Sequence, residues 1–344
     1  MSINIKKEQQ QHVIRTLWQR LTIMAILGLV VITVLFGISQ IVQKAANVPP
    51  GNGPTTGSGA IAQDVSVWTQ TSKYDFDRGL IYQVDTSASP GDVVLAMKMQ
   101  TILDHFNDQR YINSGESQNI NVQDGQVELL PLRSEGVLVS KNLLPQHIVR
   151  VESFSYEASI PWRASVKVQF SKDGVNWYSS AGTLDGWDKL SEGSHDIDLS
   201  NLDWVGVSEF YYRMAFDGGG LLGFMRPAVK EVELTYAAYH TSGSIASMIF
   251  DSGVENAQWD SICWDVTLSM NATITFEVRA SDTFFTRDSA TPGWTSVEAE
   301  QVSNNSYRAS VDLPSGRYKQ WRATLSTSDT STTPVLHEVR VYYY

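Results

Sequence analysis

Two stretches of this chain, residues 136–236 and 243–344, run through the same series of strand-like segments in the same order. Each opens on glycine and a short small-apolar run, Gly136 to Ser140 and Gly243 to Ser247. An alternating segment follows, in which Phe154, Tyr156, Ala158 and Ile160 answer to Ile262, Trp264, Val266 and Leu268. Val166, Val168 and Phe170 then match Ile274, Phe276 and Val278, and an aspartate-bearing turn leads to Trp177 or Trp294. Ile197 to Leu199 matches Val311 to Leu313, and the aromatic–Arg pairs Tyr212-Arg213 and Trp321-Arg322 precede a closing segment led by Pro227 or Pro334. Alternation with period two sends every second side chain to one face, so each copy needs a second sheet to cover that face. A repeat of about 100 residues has the size of a domain, not of a solenoid unit. The expected fold is therefore mainly β, with tandem antiparallel β-sandwich domains of jelly-roll type at 132–239 and 240–344.

Ahead of the repeats, Leu21 to Gln43 contains no charged residue. As a helix it would span roughly 34 Å, enough for the roughly 30 Å hydrocarbon core of a bilayer. Lys6, Lys7, Arg15 and Arg20 precede it against the single acid Glu8, and only Lys44 follows closely. That asymmetry holds residues 1–20 in the cytoplasm and places everything after the span outside. Val13, Ile14, Leu17 and Trp18 continue the apolar helical face into the interface. A cleaved signal fits less well: the apolar run is too long, and Lys44 occupies the −3 position of the one cleavage site available, after Ala46. The segment reads as a retained signal-anchor and single transmembrane helix, with the lipid bilayer as its partner.

Residues 44–61, rich in Pro, Gly, Ser and Thr, read as a spacer, and 62–131 as a β-rich leader. Within the leader, Asp92–Lys98 and Gln126–Leu130 carry strand patterns, while Thr101 to Ser114 fits a helical turn or a long excursion. Of the chain's 26 basic and 37 acidic side chains, five and one fall in the first 44 residues, leaving 21 against 36 beyond, a net of −15. Such a surface repels nucleic acid and anionic lipid. The single cysteine, Cys263, excludes an intrachain disulfide and reads as a small buried hydrophobe.

The second copy, with DSGVENAQWDSICWDVTL, ITFEVRASDT and SGRYKQWRATLSTSDTSTTPVLHEVRVYYY, resembles a module of bacterial and archaeal cell-surface proteins. The run YDFDRGLIYQVDTSASPGDVVLA is similar to a leader found before such modules. That family resembles discoidin/galactose-binding and laminin-G-like jelly rolls, which accompany adhesins and polysaccharide-handling proteins. The resemblance implies adhesion or recognition, and a structural calcium ion, but supplies no catalytic residue.

No HExxH, GxSxG, nucleotide-binding glycine loop or CxxC is present, and the histidines beyond the span are scattered, so an enzyme is not expected. For calcium, the oxygen ligands on offer are Asp75 and Asp77, Asp85 and Asp92, and the repeat-turn residues Asp173 and Asp282. Aspartates also populate turns for backbone reasons alone. For a sugar, whose C–H face stacks on an aromatic ring, the candidates are Trp162, Trp187 and Trp204, which the second copy lacks. Leu184 to Asp188 has the composition of a loop tip carrying Trp187. Where the second copy has the polar Ser326 to Thr333, the first has a glycine run followed by Leu221, Leu222, Phe224 and Met225. Four apolar side chains in a loop need cover, from a neighbouring domain or a partner protein. The sequons at Asn271 and Asn304 are short enough to arise by chance. The chain thus reads as a membrane-anchored extracytoplasmic surface protein for non-catalytic recognition of a glycan or partner protein. The competing class is a self-assembling structural subunit of a cell-envelope assembly or filament, held together through the apolar helix.

Overall fold

The computed structural model describes residues 65–88, 90–220, 225–310 and 313–344. The expected membrane span at 21–43, its flank at 1–20 and the spacer at 44–61 lie outside the described residues, and among those described no helix is long and apolar enough to cross a membrane. Residues 63–344 form one unit. The strands before the repeats are β1 (Ser66–Gln70), β2 (Leu80–Tyr82), β3 (Val84–Ala88), β4 (Asp92–Leu95), β5 (Met97–Asp104), β6 (Ile120–Gln123) and β7 (Gln126–Leu129). The first repeat holds β8 (Glu135–Val139), β9 (Arg150–Ser159), β10 (Ser165–Ser171), β11 (Asp188–Lys189), β12 (Gly193–Asp198), β13 (Tyr211–Asp217) and β14 (Ala228–Tyr239). The second holds β15 (Ser242–Ala246), β16 (Phe250–Asp251), β17 (Trp259–Thr267), β18 (Ala272–Ser281), β19 (Thr295–Ser296), β20 (Glu300–Ser303), β21 (Ser306–Ala309), β22 (Tyr318–Thr327) and β23 (Val335–Tyr343). One α-helix is described, α1 (Lys73–Asp77).

The repeat seen in the sequence is a repeat of pairings. In the first copy β9 lies on β14, β10 on β13 and β13 on β8; in the second, β17 lies on β23, β18 on β22 and β22 on β15, all antiparallel. Matched residues occupy matched registers: Phe154 opposes Leu234 as Ile262 opposes Val341, and Phe170 opposes Tyr212 as Val278 opposes Trp321. Even a side-chain bond repeats. The hydroxyl of Ser140 accepts from the Tyr212 N–H at 2.8 Å, and that of Ser247 from the Trp321 N–H at 3.2 Å. Each copy buries its inward row against a second sheet, giving two cores. One gathers Phe154, Phe170, Tyr212 and Phe216, the other Trp264, Phe276 and Trp321. In the second core Trp264 stacks on Phe276 with centroids 4.2 Å apart, adding specific geometry to the buried area.

The segment 62–131 is not a separate leader in the pairing pattern; it is shared out between the sandwiches. β1 and β4 pair with β23, β3 pairs with β4, and β2 pairs with β15, so residues 66–95 complete the second sandwich. β5 and β7 pair with β14 and β6 with β7, so residues 97–129 complete the first. The two halves correspond: Gln70 sits opposite Val339 as Asp104 sits opposite Val232, and Val93 opposite Leu336 as Val127 opposite Val229. The first sandwich is thereby nested inside the second. The chain crosses between them at Ala96, whose carbonyl accepts from the His240 N–H at 3.0 Å, where the chain returns. Thr101 lies within β5, and the stretch from His105 to Asn119 is a loop that touches β8 through a bridge at Gln118–Val137 and the residue after β8 through one at Ile112–Ser140.

Candidate functional site

At the side of the first sandwich where the edge strands of its two sheets, β11 and β12, come together, a groove of about 540 Å³ opens. One wall is Trp187, the residue that ends the β10–β11 loop. A run of tight turns presents it: Ser179 N–H donates to Thr183 at 3.0 Å, Asp185 N–H to Trp177 at 2.8 Å, and Asp185 itself takes a left-handed φ of 58°. The Gln169 amide pins Gly186 through its carbonyl at 2.7 Å and receives the Arg213 Nε–H at 2.7 Å. The guanidinium of Arg213 then lies between two indoles, 4.5 Å from the Trp177 centroid and 5.3 Å from that of Trp187. This cation lies over the ring of Trp187, a residue that stays 38 % exposed and lines the groove.

Polar groups line the rest of the groove. Asp188 holds Ser180 through its backbone N–H at 2.6 Å and its hydroxyl at 3.1 Å. The His195 ring packs at 5.8 Å from Tyr156, whose hydroxyl accepts from the Ser191 N–H at 2.9 Å. The Ser200 N–H, donating at 2.8 Å, holds the Asp198 carboxyl below the usual carboxylate range. Asp196 also lines the groove, and its carboxylate makes no hydrogen bond among the described residues. An indole face beside fixed hydroxyls, an imidazole and acceptor-only carboxylates is the chemistry that engages a neutral sugar ring: C–H groups on the ring, hydroxyl donors to the carboxylates.

Of the three tryptophans proposed for sugar contact, the structure places only Trp187 in this groove. Trp162 is 72 % exposed in the β9–β10 loop, stacked on Arg163 at 4.1 Å, and lines no part of it. Trp204 is corrected: at 5 % exposure it is a core side chain, packed edge-on against Tyr178 and Phe210, with no ring face left for a ligand. Leu221, Leu222 and Phe224 lie outside the described residues; Met225 is partly exposed. Met225 and Trp162 sit at the same end of the sandwich, because Ser159 of β9 pairs with Ala228 of β14. The matching loop of the second copy is covered, as Thr330 O accepts from the Tyr239 N–H at 2.9 Å and Asp329 faces His147 at 3.6 Å.

Each aspartate considered for calcium has a structural partner of its own. Asp75 is the N3 residue of a capping box on α1, accepting from the Ser72 hydroxyl at 2.6 Å. Asp77 pairs with Lys73 at 2.6 Å, Asp85 accepts from the Ser87 N–H at 2.7 Å, and Asp92 meets His337 Nδ1 at 2.8 Å. The Asn176 amide and the Asn176 and Val175 N–H groups hold the Asp173 carboxyl far below its usual range, and Asp282 accepts from the Asn256 and Arg317 N–H groups. Among the described residues no group of three or more His, Cys, Asp or Glu side chains comes together to hold a metal ion.

Two buried cations that sequence reasoning missed tie loops of the second sandwich together. Lys319, fully buried, donates to the carbonyls of Ala257 at 2.7 Å and Gly316 at 2.8 Å, and burial pushes its pKa down to about 8. Arg279, 1 % exposed, donates to the carbonyls of Thr286, Arg287, Ser289 and Pro292 and to the Gln320 amide, organising the long β18–β19 loop around itself. Alternation carried a signal for Lys319, which is in phase with the core residues Trp321 and Ala323, and none for Arg279, which is out of phase with Phe276 and Val278.

No protein-family model matches the chain, and no curated protein matches it. Among solved structures, a low affinity xylan binding module, CBM86, from the gut symbiont Roseburia intestinalis is 12% identical with a TM-score of 0.28, the match covering 40% of this chain and 94% of that one. The CBM22-1-CBM22-2 tandem domain of Paenibacillus barcinonensis Xyn10C is 10% identical with a TM-score of 0.21, covering 82% of this chain and 98% of that one. An allantoicase is 8% identical with a TM-score of 0.21, covering 64% and 81%. Likenesses of this degree assign no ligand to the chain.

Proposed function

We propose that the chain is a non-catalytic recognition protein whose first sandwich binds a neutral glycan in the groove beside Trp187, and that residues 21–43 hold it on a membrane with its sandwiches outside. The observation that carries the glycan reading is the indole of Trp187, with Arg213 over its ring, lining a groove that also holds Tyr156, His195, Asp196 and Asp198. Asp188, Asp196 and Asp198 outnumber the one lining cation, Lys189, so the groove favours a neutral polymer over a uronic-acid or sulfated one. Trp187→Ala removes the stacking face while leaving the backbone turn in place. In isothermal titration against neutral oligosaccharides, it should lower affinity by at least about tenfold, the equivalent of about 1.4 kcal/mol. Trp162→Ala, outside the groove, serves as the control and should leave binding unchanged. Equal effects from the two substitutions, or binding confined to anionic polymers, would refute the reading. The anchor is tested separately: the chain should stay with membranes through alkaline carbonate washing, and deletion of residues 21–43 should release it.

A further inference from the structure

The exposed edges of these sheets are guarded in different ways, and β5, at eight residues, is the longest described strand that presents one. β20 is four residues long, with a register break between Gln301 and Ser303, and all four residues are exposed. β12 carries His195, Asp196 and Asp198; β3 shifts register between Asp85 and Ala88; β2 spans three residues. Short length, charge and bulges are the usual means of keeping a sheet edge from pairing with another chain. β5 has no Pro or Gly, its two charges, Lys98 and Asp104, stand near its two ends, and its register on β14 runs unbroken from Met97 opposite Tyr239 to Asp104 opposite Val232. β14 is its one strand partner, so its other edge faces away with its backbone groups unpaired among the described residues.

Its side chains separate into two rows. Ile102 packs on the core and Gln100 accepts from the Tyr236 hydroxyl at 2.8 Å, so the even positions face inward. The odd positions face out and carry Met97, Met99 and Leu103, at 48 %, 56 % and 38 % exposure, around Thr101. We propose that β5 is a self-association edge on which two copies of this chain pair antiparallel about Thr101, joining their sheets into one. The sequence is complementary to itself in that register. On the outward face Met99 of each copy meets Leu103 of the other and Thr101 meets Thr101, so apolar groups oppose apolar groups there. Such a contact is isologous and closes as a two-fold dimer.

The test uses the full chain in mild detergent, with Cys263→Ser to remove the native thiol. Under mild oxidation Thr101→Cys should give a disulfide-linked dimer, since two-fold pairing places this position against itself. Met97→Cys, displaced to opposite ends of the paired strands, should not. In sedimentation velocity the chain should be dimeric at micromolar concentration, and Met99→Glu, an exposed position that leaves the core untouched, should weaken the dimer by at least about tenfold. A monomeric parent, a dimer indifferent to Met99→Glu, or cross-linking at position 97 as readily as at 101 would each overturn the proposal. The second of these outcomes would move the association to another surface, such as the apolar segment at 21–43. None of the three bears on the Trp187 groove.

Discussion

Replacing Asp104 with asparagine should stabilise the first sandwich. Asp104 is 5 % exposed; one carboxylate oxygen accepts from the Phe106 N–H at 2.9 Å, and the other, Oδ2, is buried without a partner. The hydroxyl of Tyr212, also buried, has no partner either. The sister sandwich shows the satisfied arrangement. Gln70, in the place of Asp104, accepts the Trp321 indole N–H at 2.7 Å, with Trp321 in the place of Tyr212. Burial therefore pushes the Asp104 carboxyl above its ordinary value of 3.8. A buried polar group left unpaired costs about 1–3 kcal/mol, and asparagine keeps the bond to Phe106 while removing the charge. For a sandwich of this size the gain corresponds to a rise of about 3–8 °C in melting temperature at pH 7. The sign follows from linkage. The folded state binds the Asp104 proton more tightly than the unfolded chain, so the penalty is complete above the folded-state pKa and vanishes as pH falls below about 3.8. Calorimetry of parent and Asp104→Asn from pH 7 toward pH 4 should thus show a gain that shrinks with acidity. A loss at pH 7, or a gain independent of pH, would refute the reasoning.

Three further outcomes are expected. Lys319→Met leaves the Ala257 and Gly316 carbonyls unpaired and should destabilise the second sandwich by about 2–4 kcal/mol, read from its melting transition. Because Lys319 titrates at about 8 when folded and 10.5 when unfolded, the parent should gain stability relative to Lys319→Met between those values, and a difference that narrows there would contradict the assignment. Nesting predicts that a chain of residues 97–239 folds alone, whereas 240–344 alone remains unfolded by circular dichroism, since it lacks Phe76, Val84, Val93 and Leu95 from its core. A folded 240–344 fragment would disprove the interdependence.

The repeat made both sandwich bodies legible, because period-two alternation is a local property that survives in any strand with one buried face. Phe154 and Ile262 could be matched on sequence and do occupy the same register. The allocation of residues 62–131 was not legible. Whether Gln70 pairs with Val339 or with something nearer leaves no mark on its immediate neighbours, as the two lie far apart along the chain. Trp204 shows the same limit at the site: a tryptophan missing from the sister copy suits a ligand or a private core contact equally well, and only packing against Tyr178 and Phe210 decides. Asp75 was readable in principle, since Ser72-x-x-Asp75 is a helix-start pattern, but a cluster of aspartates drew it into a metal hypothesis instead. Trp187 was legible as a loop-tip residue because glycine and aspartate around it marked a turn; that Arg213, on a distant strand, lies over its ring was not.

The pairing of β1 with β23 has a mechanical meaning. Ser66 lies against Tyr343 and Gln70 against Val339, so β1 runs inward from the end of the second sandwich that faces away from its junction with the first. Tension applied between residue 65 and the first sandwich would pull along the strand axis. Five residue pairs would then resist together in shear instead of parting one after another like a zipper. A pull from that side loads the joint in its stronger direction.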